Sequence, residues 1–453
     1  EIKATQTDLV SQMRATGSTL AQLKTFEFIP FMALHATQAD LKHLAASPEV
    51  ISIQQDSIST PSLNQSTPFI GATTTWSSGY SGAGQTVAVI DTGADKTHPF
   101  LAGKVVSEAC YSTSSSSSLS LCPGGSASST SSGSAAACTV GAGCDHGTHV
   151  AGIVAGKSAS FSGVAKDANL IAMQVFSWTT GGGIGAYNSD IVKALERVYA
   201  LRNNYSIAAV NMSLGGGLHT ANCDNIESIR KAAIDNLRSV GIATVVASGN
   251  DGAHTSMAAP ACISSAISVG SVYADTGDTN ACNGWNLGTS SPDQISCFSN
   301  SASFLSLLAP GSAINSSVPA STYGNKSGTS MAAPHVAGAW ALYKQKFPQA
   351  SVTTILRAFE QTGTPVLDPR NSITKPRINV AQALDLSASD LINCGAKCTI
   401  TLNLGDQLTL NSTPTGTNQF ATWSGACAGK QSACKVTVDG NTTIFSEFDT
   451  EKV

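Results

Sequence analysis

Charge is what this sequence has least of: only 12% of its 453 residues are Asp, Glu, Lys or Arg, about half the roughly 25% usual in soluble domains. Serine, threonine, asparagine and glycine must therefore supply much of the surface. The formal net charge of -4 offers no field that would gather phosphates, and no run of Lys or Arg occurs, which speaks against nucleic acid as a partner. No apolar stretch reaches the ~18 residues needed to span a bilayer. The residues from Glu1 onward also lack the pattern of an export signal, so such a signal is expected to have been removed or to lie outside this numbering. Tight CxxC pairs are missing as well, although the chain has 12 cysteines: Cys110, Cys122, Cys138, Cys144, Cys223, Cys262, Cys282, Cys297, Cys394, Cys398, Cys427 and Cys434. That weakens a zinc reading of the last four. The even count and the serine-rich surface predict disulfides and an oxidising, extracellular setting.

A chain of this length exceeds one ordinary core and predicts two or three domains. Residues 1–62 read as a small α+β unit. Leu9, Val10, Met13, Leu20 and Leu23 are spaced loosely like a helical face across Thr7–Leu23, interrupted by Gly17. "FEFIPFMALHA" reads as a strand broken at Pro30, Thr37 and Asp40 as a capping box opening a second helix, and "VISIQQD" as a further strand. The polar, proline-bearing "SISTPSLNQSTP" that follows reads as a cleavable linker.

Residues 63–390 alternate strand and helix. Val87–Ile90, Leu170–Phe176, "AAVNMSLGG" and "IATVVASGN" read as strands. "HGTHVAGIVAG", "DIVKALERVYALRNN" and "NIESIRKAAIDNLRSVG" read as helices. The alternation predicts a doubly wound α/β fold with a mainly parallel sheet. Tyr111–Gly143 interrupts it as a Ser/Gly/Ala-rich insertion that two disulfides would hold in order. In residues 391–453 helical patterns vanish, and "CTITLNL" and "CKVTVDGNTTIFSEF" predict a small β domain.

Chemistry concentrates in four stretches. In "SGTSMAAPHVAGA", Ser330 opens a helix of small residues, where first-turn N–H groups lack partners and the dipole favours negative charge. Pro334 removes a donor and crowds the carbonyl four residues back, that of Ser330. His335, five residues along the helix, is turned about 140 degrees from Ser330 and reads as structural. A serine hydroxyl is a weak nucleophile without a histidine base held by a carboxylate. "CDHGTHVAGIVAG" offers His146 and His149, between which spacing does not choose, and "VAVIDTGADKTHPF" offers Asp91 at the end of an apolar strand. Asn250 ends another strand, in "ATVVASGN", where its amide could donate to an oxyanion.

Together, "DTG" at Asp91, "HGTHVAG" from His146, "SLGG" from Ser213, "ASGN" ending at Asn250 and "GTSMAAPHVAG" around Ser330 resemble the subtilisin-like serine proteases, across roughly Ile70 to Lys346. The resemblance implies that Asp91 orients the imidazole of His146, the general base. It makes Ser330 the nucleophile and gives the Asn250 amide and the Ser330 N–H the oxyanion. His149 is then structural. It further implies that Ser213, Leu214, Gly215 and Gly216 pair with substrate backbone, and that Ala247, Ser248 and Gly249 wall the primary pocket. Small residues there, with Ala258, suggest room for a medium or large apolar side chain.

Residues 1–62 resemble the propeptide inhibitors of the same family, without the strand expected before the opening helix. Their tail at Ser57–Ser62 is expected in the substrate cleft, with cleavage between Thr60 and Thr67. The end of the chain is similar to small β modules appended to secreted bacterial proteins, with Cys427–Cys434 and Cys394–Cys398 as its expected disulfides. Such relatives also bind calcium, but no Asp-rich loop is present and no ligands are named; the chemistry itself requires no cofactor. The expectation is a secreted, monomeric serine endopeptidase made as a self-processed zymogen, with polypeptides as substrates and its own propeptide as inhibitor. The alternatives are a catalytically retired scaffold that binds or adheres, and an acid protease of the sedolisin type, which would use carboxylates where this chain has His146.

Overall fold

The computed structural model describes residues 2–20, 23–25, 32–53, 63–277, 279–282 and 284–386, together with the backbone of strands at 407–411, 419–425, 433–437 and 444–449. The chain divides into two compact units, Glu1–Thr60 and Pro61–Val453.

In the first unit, helices Ile2–Ala15 and Gln38–Ala46 bury Leu9, Met13, Leu20 and Leu44 together. The Thr37 hydroxyl accepts from the Asp40 N–H and the Asp40 carboxylate accepts from the Thr37 N–H, which makes the capping box. The opening helix ends before Gly17, whose φ of +89° is left-handed, so Leu20 and Leu23 lie beyond the helix that their spacing predicts. The strand read over "VISIQQD" does not form at residues 50–53. The Val50 N–H turns back to Ser47 O and Ile51 is fully exposed, and among the described residues no ladder partner supports it. Most of "FEFIPFMALHA" and all of Ser57–Ser62 fall outside the described residues.

The second unit is built on a ten-stranded sheet. From edge to edge it runs Thr364–Asp368, Ile373–Arg377, Leu307–Pro310, Ile267–Val272, Ala243–Ala247, Ile207–Met212, Thr86–Asp91, Asn169–Gln174, Val105–Tyr111 and Ser128–Ser129, parallel throughout except at the first and last pairs. Alternation along each strand divides its side chains between two cores. Val87, Val89, Leu170, Ala172 and Val245 pack against helices His146–Ala155, Thr329–Lys346 and Val352–Thr362. Their neighbours Ala88, Ile90, Ile171, Met173 and Val246 pack against helices Asn188–Leu201 and Ser228–Ser239. The sheet is thus covered on both faces, as the doubly wound reading requires. The helix Thr329–Lys346 is apolar all round and buried almost throughout. Gly338 lets it close on Val164, where a Cβ would come within 2.7 Å of the valine Cβ.

Two disulfides, Cys110–Cys122 and Cys138–Cys144, tie the serine-rich insertion, which also carries short strands at Ser118–Ser120 and Ser128–Ser129. Cys223–Cys262 and Cys282–Cys297 are the other two among the described residues. The pairings expected for Cys394, Cys398, Cys427 and Cys434 lie outside those residues. Near the end of the chain, Gln407–Asn411 pairs with Ala433–Thr437 and Gln419–Gly425 with Ile444–Asp449, both antiparallel. The cleavage window expected at Thr60–Thr67 runs into a helix over Leu63–Phe69 in which Leu63, Ser66 and Thr67 are buried and Asn64 is exposed; Thr60–Ser62 lie outside the described residues.

Candidate active site

Strand register places the candidates at one level. Ile90 pairs with Met212 and Met212 with Val246, so Asp91, Ser213 and Ala247 emerge side by side at the carboxyl edge of the sheet, where α/β folds bind ligands. Asp91 is fully buried, and its Oδ1 accepts from His146 Nδ1 at 2.8 Å and from the Thr92 N–H at 2.7 Å. Glycine permits this approach: a Cβ on Gly147 would lie 2.1 Å from Gly93 O, and the Gly147 N–H donates to Thr92 Oγ1 at 2.9 Å. The imidazole keeps 22% exposure. Burial pulls its basicity down, but the charge and hydrogen bond of Asp91 more than offset this, leaving His146 above the ordinary histidine value of 6.5.

Ser330 stands in the first turn of its helix. Because Pro334 has no N–H for the Ser330 carbonyl, that oxygen is satisfied from outside the helix by the Ser213 hydroxyl at 2.7 Å. Asn211 Nδ2 donates to Ser213 Oγ in turn, at 2.9 Å. The Ser330 hydroxyl donates to Ser213 O at 3.3 Å, and among the described residues no hydrogen bond joins it to His146. The base and its carboxylate are therefore engaged, while the serine rests against the neighbouring strand end.

Asn250 is held by its carbonyl end. Oδ1 accepts from the Thr329 N–H at 2.8 Å and the Thr329 hydroxyl at 3.0 Å, which leaves the Nδ2 donors to face outward. The same hydroxyl accepts from the Gly249 N–H at 3.1 Å, so one threonine fixes both the amide and the chain before it. Behind that loop lies Asn300, fully buried. Its Oδ1 accepts from the Asp251 and Ala253 N–H groups at 2.9 and 3.0 Å, and its Nδ2 donates to Asp251 Oδ2 at 2.8 Å and Ser248 O at 3.2 Å. Gly249, at φ +108°, could carry no side chain, since a Cβ would lie 2.2 Å from Asn300 Nδ2.

His149 and His335 lie off the reaction path. His149 Nε2 faces Ile314 O and Gly324 O at 2.9 Å each, and His335 bridges Met331 O and Ser66 Oγ at 2.8 Å each. Burial lowers His149 to about 3 and His335 to about 4. Both are neutral in the fold, whereas an unfolded histidine takes its proton near pH 6.5. Their contribution to stability is complete above that pH and is lost as pH falls toward about 4 and then about 3. The urea midpoint should therefore decline from pH 6.5 downward, less steeply in His335→Gln; an equal slope in that variant would contradict the assignment.

Of the expected substrate contacts, Ser213 and Ser248 turn their side chains inward, Ser248 Oγ donating to Asn300 O at 2.9 Å. Leu214 is half-buried, and Gly215 and Gly216 are exposed. Gly216–His219 pairs antiparallel with Met257–Ala259. Ala247 and Ala258 are buried beside Gly249. Thr92, Thr329, Asn211 and Asn300 were not singled out from the sequence. Thr92 and Thr329 stand inside motifs that were read, whereas nothing local marks Asn300. Among the described residues no group of three or more His, Cys, Asp or Glu could hold a metal, so no calcium ligands are assigned.

The subtilase family model matches residues 82–374. Subtilisin E of Bacillus subtilis (strain 168) is 33% identical over 350 residues, covering 75% of this chain and 77% of that protein. The subtilisin of Bacillus pumilus is 34% identical over 309 residues, 66% of this chain and 92% of its own. A solved protease structure from Pseudoalteromonas arctica superposes with a TM-score of 0.55 at 26% identity, over 70% of this chain and 93% of that one.

Proposed function

The chain belongs to the subtilase family and is a serine endopeptidase, and from that premise we propose that Ser330 attacks the peptide carbonyl with His146 as base, Asp91 as its support and Asn250 as oxyanion donor. The observation that carries this reading is the buried Asp91 carboxylate on His146 Nδ1 at 2.8 Å, which fixes the tautomer and leaves Nε2 as the proton acceptor. Ser330 gives up its long bond to Ser213 O, passes its proton to Nε2 and forms the acyl bond. The tetrahedral oxygen is met by Asn250 Nδ2 and by the Ser330 N–H, a first-turn donor without a helical partner. His146 then returns the proton to the leaving amine. Water repeats the sequence and releases the acid.

The exposed Gly215–Gly216 backbone suits an extended peptide laid alongside it, and the small residues Ala247, Gly249 and Ala258 suit an apolar side chain. Four disulfides among the described residues favour a secreted protein. No helix among them is long and apolar enough to cross a membrane. Self-processing of a zymogen, inhibition by residues 1–62 and a monomeric state complete the proposal.

The test is a fluorophosphonate adduct mapped to Ser330, combined with a pH profile. Because neutral His146 is the base and its pKa is raised, kcat/KM should climb with pH through a value above 6.5, and Asp91→Asn should move that limb to lower pH. An unlabelled protein would favour the retired scaffold. Activity rising toward acid would favour the carboxylate chemistry of sedolisins.

A further inference from the structure

Asn250 is placed by a loop that does not hold itself. Beyond the Thr329 bonds to Gly249 and Asn250, residues 248–254 are bound chiefly through Asn300, and Asn300 belongs to the irregular segment 297–301, which has no ladder of its own. Cys297 is tied to Cys282 by a disulfide and donates its N–H to Asn280 Oδ1, and Ser299 Oγ accepts from the Ser271 N–H; the segment's remaining anchor is the turn joining the two strands at the sheet edge, Thr364–Asp368 and Ile373–Arg377. The Arg370 side chain is fully buried. Its Nε and Nη2 pair with the two oxygens of Asp368 at 2.9 and 2.8 Å. Its Nη1 then donates to Cys297 O at 2.7 Å and its Nη2 to Ser299 O at 2.9 Å. Both carbonyls lie just before Asn300 along the chain. From the same turn, Asn371 Nδ2 donates to His254 O at 2.7 Å and Ser301 Oγ at 3.0 Å, joining the far end of the Asn250 loop to the Asn300 segment.

We propose that the Arg370–Asn371 turn is a positioning clamp for the Asn250 amide, acting through Asn300. A guanidinium whose neutralising carboxylate stands two residues away brings no net charge into the interior, yet still directs rigid donors at two carbonyls. A clamp built to stabilise alone has no need to grip both the Asn300 segment and the far end of the loop that carries an oxyanion donor. The reaction needs that grip, because the Nδ2 donors must already be in place when charge develops on the substrate oxygen. The inference rests on Asn250 being that donor.

Asn371→Ala carries the test, since it removes three neutral hydrogen bonds, those to His254 O and Ser301 Oγ and that from the Ile373 N–H, and strands no buried charge; Arg370→Lys is the companion, keeping the charge and losing the fork. Kinetics on a peptide anilide are read per fluorophosphonate-labelled site, which discounts misfolded protein. Asn371→Ala should lower kcat about tenfold with KM little changed, as expected of a misplacement below 1 Å. In an Asn250→Ala background the same substitution should lower kcat less than twofold, since the group it positions is gone. Equal losses in both backgrounds, or an unchanged kcat with a lower melting temperature, would overturn the clamp and leave the catalytic reading standing. If Asn250→Ala alone leaves kcat unchanged, the oxyanion assignment fails and the clamp fails with it.

Discussion

Ser330→Ala should lower kcat on a denatured protein substrate by on the order of 10⁶, the size of loss produced by removing this kind of residue from a subtilisin, while leaving a residual rate above that in water. The same variant should retain residues 1–62 in covalent linkage. Wild-type protein should show a new N-terminus upstream of Leu63, because the peptide bonds from Leu63 to Phe69 are helical, with Leu63, Ser66 and Thr67 buried. Ser66 is further bonded to His335, so cutting there would break into the packing of the Ser330 helix. Intact-mass measurement and N-terminal sequencing check both statements. A processed Ser330→Ala protein, or a mature chain beginning inside that helix, would count against self-processing as drawn here.

The second large effect is expected at Asn250. Its carbonyl is tied to Thr329 and its Nδ2 is not, so Asn250→Ala removes the outward donor and frees two Thr329 groups that lie at the same helix start. The expected loss is about 10² to 10³ in kcat, a magnitude taken from the loss of an oxyanion donor in a subtilisin. KM should change little, because that donor acts on charge present only in the transition state. The acid limb of the pH profile should stay in place, since the His146–Asp91 pair is untouched. A rise in KM at constant kcat would instead make Asn250 a ground-state contact.

These residues were legible because each stands beside a local rule that the sequence breaks or repeats. Asp91 ends an apolar strand, Asn250 stands in the loop just past the apolar strand Ala243–Ala247 rather than on it as the sequence predicts, His146 opens a helix of small residues, and Ser330 sits four places before a proline. Pro334 raised a question that sequence alone left open, namely what satisfies the Ser330 carbonyl; the answer, the hydroxyl of Ser213, lies 117 residues away. Distance in sequence is also why Asn300, Arg370 and Asn371 went unread. A buried asparagine in "FSNSAS" and an arginine in "LDPRNS" look like ordinary turn residues until folding supplies the carbonyls they face. The strand read over "VISIQQD" fails in its described part for the opposite cause: the apolar alternation of Val50–Ile53 is real, but among the described residues no backbone pairs with it. Where the chain is doubly wound, periodicity sufficed, because each strand must present apolar side chains to both faces.

Immediately before Ser330, the hairpin Ile314–Val318 and Thr322–Lys326 is bound to the helix that begins at His146. His149 serves Ile314 O and Gly324 O from one nitrogen, and Ser316 and Ser317 donate to His149 O and Thr148 O. A Cβ on Gly152 would strike both serine hydroxyls at 2.3 Å. The two partners in the proton transfer therefore belong to a single mechanical body, although more than 160 residues of chain separate the halves of that seam. Thermal agitation strong enough to slide one past the other must first break a row of sheltered polar contacts, so the spacing between base and nucleophile should persist for as long as this seam stays shut.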